Sequence, residues 1–112
     1  MMGPVGVGGV GPIVAAGLPP PAPDVVGLAL LNFGSKGDDT QLPVALPQVT
    51  AQSVARAWVA LVATAEHSVD EHRIEALSAS VAVVPGVGLT VYLRTTDGTR
   101  SSGRWSVGWD VR

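Results

Sequence analysis

The run Pro19-Pro20-Pro21-Ala22-Pro23, preceded by Gly3, Gly6, Gly8, Gly9, Gly11 and Gly17, limits how much of this chain can build a core. Proline fixes φ and removes a backbone donor, so a proline run favours polyproline II over a helix or a central strand. Residues 1–23 are therefore expected to form an extended Gly/Pro-rich arm. The other residues of the arm are mostly apolar, notably Val5, Val7, Val10, Ile13, Val14 and Leu18. A purely entropic linker would carry Ser, Glu, Lys and Gln instead. An apolar arm is expected to lie on another surface, which makes these six residues candidate partner-binding positions.

The remainder is short. A chain of 112 residues makes one domain at most and leaves little room for a deep cleft. Its composition is 46% hydrophobic and 14% charged, with a mean hydropathy of +0.36. That is too apolar for a disordered chain, and its charge is low against the roughly 25% of an ordinary globular surface. Part of the surface is expected to be covered by other protein subunits, in homo- or hetero-oligomeric contact. Without cysteine there is no disulfide framework, thiol nucleophile or thiolate metal site. The first basic residue is Lys36, so a standard cleaved signal peptide is not expected, and glycines and prolines interrupt every apolar run before a membrane-spanning length. The expectation is a soluble protein or part of a soluble assembly.

Residues 24–48 hold one apolar stretch, Val25 to Phe33, and then a turn-rich loop at residues 34–39. A strand is favoured for the stretch, because Gly27 weakens a helix by about 1 kcal/mol and the approach is already extended. Residues 49–112 predict an α+β domain: one or two helices packed on a small antiparallel sheet that ends in a C-terminal β-hairpin. Thr50 is placed to cap a first helix, whose face would carry Val54, Trp58, Leu61, Val62 and Ala65 at spacings of three and four. Ser68 and Glu71 match a capping box for a second, burying Ile74, Leu77 and Val81 and stopped by Pro85, Gly86 and Gly88. Leu89, Val91 and Leu93, then Trp105, Val107, Trp109 and Val111, alternate with polar or small residues and predict two strands. The turn formers of residues 95–103 join them as the hairpin. Its tryptophan face would pack on the Trp58 face of the first helix, with Val25 to Phe33 as a third strand.

Chemical motifs are few. Gly6-Val7-Gly8-Gly9-Val10-Gly11 has dinucleotide-loop spacing, but no strand fits before it and the prolines follow too soon for a binding helix. Residues 66–72 gather His67 and His72 with Glu66, Asp70 and Glu71, groups suited to a metal or to acid-base work. Five residues separate the histidines, about 140° around a helix, whereas ligand pairs use three or four. A solvent-exposed polar corner between two helices is the expected reading. No serine lies in a Gly-x-Ser-x-Gly elbow. No catalytic residue, cofactor or metal ligand is assigned, and an enzyme is not expected. Pro20-x-x-Pro23 lacks a neighbouring arginine and makes a poor SH3-type ligand.

Charge is uneven. Residues 86–112 carry Arg94, Arg100, Arg104 and Arg112 against two aspartates, whereas residues 1–85 carry three basic and seven acidic side chains. Arg94, Arg100 and Arg104 are therefore candidate partner contacts, by attraction between a basic hairpin and an acidic neighbour. The helix-helix-hairpin order also fits a winged-helix nucleic-acid binder, but Asp70, Glu71 and Glu75 on its recognition helix would repel phosphate. Nucleic acid is not the expected partner. The leading expectation is a non-catalytic structural or interaction subunit of a larger assembly, with a phage virion connector, tail or decoration component as the architectural analogy. The alternative is an accessory subunit or small-ligand module with Trp58, Trp105 and Trp109 around a pocket.

Overall fold

Alternation with a period of two governs nearly all of the chain that the computed structural model describes, residues 25–112. The arm of residues 1–23, with its six apolar candidates, lies outside the described residues. The elements in order are β1 (Val25–Asn32), β2 (Asp39–Ala45), β3 (Ala55–Val59), α1 (Val69–Ile74), β4 (Leu77–Val84), β5 (Gly88–Thr95) and β6 (Arg104–Val111). They form two three-stranded antiparallel sheets, β1-β6-β3 and β2-β5-β4, whose inner faces share one hydrophobic core. The architecture is mostly β, which overturns the expected α+β class.

Three corrections make up that difference. The first helix does not form. Thr50 instead caps a turn, accepting the Gln52 N–H on Oγ1 at 3.2 Å and the Ser53 N–H on its carbonyl at 3.1 Å, and the chain then enters β3. Val54, Trp58, Leu61 and Val62, assigned to a buried helical face, are exposed, while Ala55, Ala57 and Val59 turn inward. Small residues face in because β6 fills the space beside them: Trp109 lies between Gly27 of β1 and Ala57 of β3. A Cβ at Gly27 would overlap the Trp109 ring.

The second helix is cut to the six residues of α1. Its capping box forms as read, with Ser68 Oγ accepting the Glu71 N–H at 3.2 Å and Glu71 Oε1 accepting the Ser68 N–H at 2.6 Å. Ile74 is exposed, and Leu77 and Val81 belong to β4, where they face the core with Ala79 and Val83. Ser78 and Ser80 take the outer face. Such alternation suits a half-buried strand better than a helix.

The hairpin, finally, is β4–β5. Pro85 and Gly86 occupy the central positions of its turn, closed by the Val87 N–H on the Val84 carbonyl at 3.0 Å, with Gly86 at φ 75°. That is type II chemistry, in which glycine supplies the positive φ. β5 and β6 are strands as their alternation indicates, but residues 96–103 carry the chain from one sheet to the other and β6 pairs with β1 and β3. Leu89, Val91 and Leu93 of β5 meet Trp105, Val107 and Trp109 of β6 across the core. Burying side chains of this size stabilises by about 1.5–3 kcal/mol each.

Candidate interaction surface

β3 ends at Val59, but its neighbour β6 continues past it to Arg104, leaving backbone groups on the β3 side of β6 without a strand partner. Side chains of residues 64–72 take the place of the missing strand. His72 Nε2 accepts the Ser106 N–H at 2.9 Å, and Glu66 Oε1 accepts the Arg104 N–H at 2.9 Å. Thr64 Oγ1 donates to the Arg104 carbonyl at 2.7 Å, and His67 Nε2 donates to the Ser102 carbonyl at 2.6 Å. Buried backbone groups must find partners, and this row supplies them one by one.

The histidine-acid cluster of the sequence is thus a fold element, and the expected exposed corner between helices is replaced by a docked segment. His72 is only 3% exposed. Its Nδ1–H donates to the Ser68 carbonyl at 2.7 Å while Nε2 accepts, which defines the neutral Nδ1–H tautomer. His67 stacks on Trp105 with ring centroids 3.7 Å apart, and its Nδ1 lies 3.4 Å from Glu71 Oε2. Trp105 in turn donates to Ser101 Oγ at 3.1 Å. Glu66 is clamped by Arg104 at 2.8 and 3.1 Å, and hydrogen bonds from that guanidinium, followed by the one from the Arg104 backbone, hold its carboxyl down at about 2. Glu71 is likewise lowered, mainly by the Ser68 N–H and then by His67. The ring nitrogens of both histidines and the carboxylates of Glu66 and Glu71 are thus engaged within the fold. Among the described residues no three His, Asp or Glu side chains are placed to hold a metal ion.

The outer face of the β1-β6-β3 sheet has a different character. Val26, Leu28 and Leu30 of β1 are 64%, 52% and 45% exposed, and Trp58 of β3 is 42% exposed. The register places Leu28, Gly108 and Trp58 in one cross-strand row, where the Trp58 indole lies over Gly108. The next row is Val26, Asp110 and Arg56, with Arg56 paired to Asp110 and lowering its carboxyl through that hydrogen bond. A continuous apolar strip therefore faces outward on a strand that begins where the arm ends. Monomeric proteins carry few such strips, and larger ones mark interaction sites.

On the other sheet, the outer face holds a shallow concavity of about 500 Å3, lined by Asp39, Gln41, Ser78, Ser80, Tyr92 and Arg94 among others. None of the three tryptophans lines it. Trp105 and Trp109 are core residues and Trp58 lies on the opposite outer face, so the indoles do not surround one pocket. The predicted basic patch is divided too. Arg94 belongs to this concavity, Arg100 is exposed in the β5–β6 connection, and Arg104 is neutralised by Glu66 on the other sheet. The winged-helix arrangement is absent, because α1 is too short for a recognition helix and there is no helix before it among the described residues. None of the described helices is long and apolar enough to cross a membrane.

Comparison with protein-family models, with curated proteins and with solved structures finds no match for this chain.

The apolar strip was hidden from sequence reasoning by a wrong period. Val54, Trp58, Leu61 and Val62 fit one helical face, and only the alternation Ala55, Ala57, Val59 against Arg56, Trp58 reveals that Trp58 points outward.

Proposed function

We propose that the protein is a non-catalytic structural or interaction subunit of a larger protein assembly, engaging its neighbours through the apolar arm and the outer face of the β1-β6-β3 sheet. The observation that carries the reading is the strip of Val26, Leu28, Leu30 and Trp58, contiguous with the arm at Val25. Water contact with four large apolar side chains on one face is unfavourable at roughly 25 cal/mol per Å2, and a partner removes it. The engaged histidines and carboxylates of residues 66–72 support a structural over a catalytic role. A particle built of many copies, such as a virion connector, tail or decoration layer, is the setting in which a small sandwich with an adhesive arm fits best. The alternative of a small-ligand module rests on the polar concavity around Tyr92 and Arg94 in place of the tryptophans.

The test is the mass of the full-length chain by gel filtration with light scattering, beside Leu28→Glu. Leu28 is half exposed, so the substitution leaves the core intact while placing a charge in the strip. The expected result is an assembly, or a complex with a partner from the source extract, that Leu28→Glu dissolves. A monomer at every concentration, found alone in extract and indifferent to the substitution, refutes the proposal.

A further inference from the structure

We propose that the free edge of β1 accepts the arm of a second copy of this chain, residues 5–11, as an added strand. The inference rests on the interaction-subunit reading and names the receiving groups.

The hydrogen-bonding direction of β1 follows from its neighbour. Arg104 and Ser106 turn their backbone groups toward the β3 side of β6, where Glu66, Thr64, His72 and the Ala60 N–H meet them. Directions alternate along a strand, so Trp105, Val107 and Trp109 turn theirs toward β1, opposite Leu31, Ala29 and Gly27. Val26, Leu28 and Leu30 therefore present N–H and C=O groups to the open edge. Among the described residues β1 has β6 as its one strand partner. The edge closes at Asn32, whose carbonyl accepts Thr40 Oγ1 at 2.9 Å. Natural edges are protected by charge, proline or bulges. β2 carries Asp39 and Pro43 and β3 carries Arg56; β4 is also without charge or proline but lies beside β3, whereas β1, Val-Val-Gly-Leu-Ala-Leu-Leu-Asn, has no charge, no proline and an unbroken register.

The arm fits that edge. Val5 and Val7 alternate with Gly6 and Gly8, which gives a strand with one apolar face and one bare face, and no charge or proline interrupts residues 5–11. Backbone pairing would supply affinity, and the valines would extend the strip of Val26, Leu28 and Leu30. Pairing within one chain would need a reversal in residues 12–24, where Pro12, Pro19, Pro20, Pro21 and Pro23 favour extended backbone. A second copy needs no such reversal.

The experiment is amide hydrogen exchange on the full-length chain at low and high protein concentration, with mass measured in parallel, beside the variant Val7→Pro/Val10→Pro. Both positions precede the described residues, and proline there removes arm donors while leaving every strand and core residue unchanged. The expected result is that Leu28 and Leu30 amides exchange at least about tenfold more slowly at the higher concentration, together with those of residues 5–11, and that the prolines abolish the slowing. Slowing that is independent of concentration in a monomer would overturn the second copy in favour of the chain's own arm. Fast exchange at Leu28 and Leu30 inside an intact assembly would overturn edge pairing while leaving the interaction-subunit reading in place. Fast exchange in a lone monomer would overturn both.

Discussion

Gly27→Ala should destabilise the domain by about 1–2 kcal/mol, whereas Gly108→Ala, on the neighbouring strand β6 and facing the other side of the same sheet, should change stability by no more than about 0.5 kcal/mol. Both glycines lie against an indole. A methyl at Gly27 would stand 2.9 Å from Trp109 Nε1 and closer still to two ring carbons, and one at Gly108 would stand 2.5 Å from Trp58. The difference lies in what can yield. Trp109 is buried between Gly27 and Ala57, so the added carbon overpacks the core at a cost of about 1–3 kcal/mol, offset by the roughly 0.5–1 kcal/mol that alanine regains over glycine in a strand. Trp58 is on the surface and 42% exposed, so its ring swings into solvent instead. Urea denaturation of the full-length chain, followed by tryptophan fluorescence, reads both. With m near 1 kcal/mol/M for a domain of this size, Gly27→Ala lowers the midpoint by about 1–2 M at constant m. Gly108→Ala leaves the midpoint in place and shifts emission to the red. Adding Trp109→Phe should recover part of the Gly27→Ala loss, since the smaller ring makes room and removes an indole N–H that has no partner among the described residues. The reasoning is refuted if Gly27→Ala matches the parent, or if Gly108→Ala falls as far as Gly27→Ala.

Two further outcomes follow from the row of side chains that replaces β3. His72→Phe keeps an aromatic ring against Trp105 but leaves the Ser106 N–H and the Ser68 carbonyl without this partner, at about 1–3 kcal/mol, and the Ser106 amide should exchange markedly faster; unchanged exchange at Ser106 would show that His72 is not its acceptor. Glu66, held at about 2 in the fold against 4.5 in the free side chain, binds its proton more readily once unfolded, so its contribution is complete above about 4.5 and lost as pH falls toward 2. Thermal unfolding from pH 7 to pH 2 should therefore show a shallower acid loss for Glu66→Gln than for the parent, with Glu71, Asp97 and Asp110, all lowered, supplying the slope that remains. Identical slopes would remove Glu66 from the account.

Local chemistry was legible wherever it is complete within a few residues. The Ser68–Glu71 capping box, the Pro85-Gly86 turn and the alternation of β5 and β6 are each readable from neighbours in the chain and are each present. Gly27 likewise pointed to a strand for Val25–Asn32, though its actual purpose, space for Trp109, comes from a residue 82 positions away. Tertiary structure decided the rest. Val54, Trp58 and Val62 satisfy a helical period as well as an extended one, and the choice falls to a strand because β6 offers Ala55, Ala57 and Val59 a ladder and a core to face. The partner of β5 was not decided by proximity in the chain on its C-terminal side, because the tight turn at Pro85-Gly86 closes β4–β5 while the longer connection of residues 96–103 is free to cross between sheets. His72 looked like an exposed polar residue and is buried, since the end of β3 leaves a backbone N–H on β6 that some side chain must accept. Periodicity sets which faces a segment can bury; only the neighbours brought together by folding determine which of them is buried and which unmet hydrogen bond each polar side chain answers.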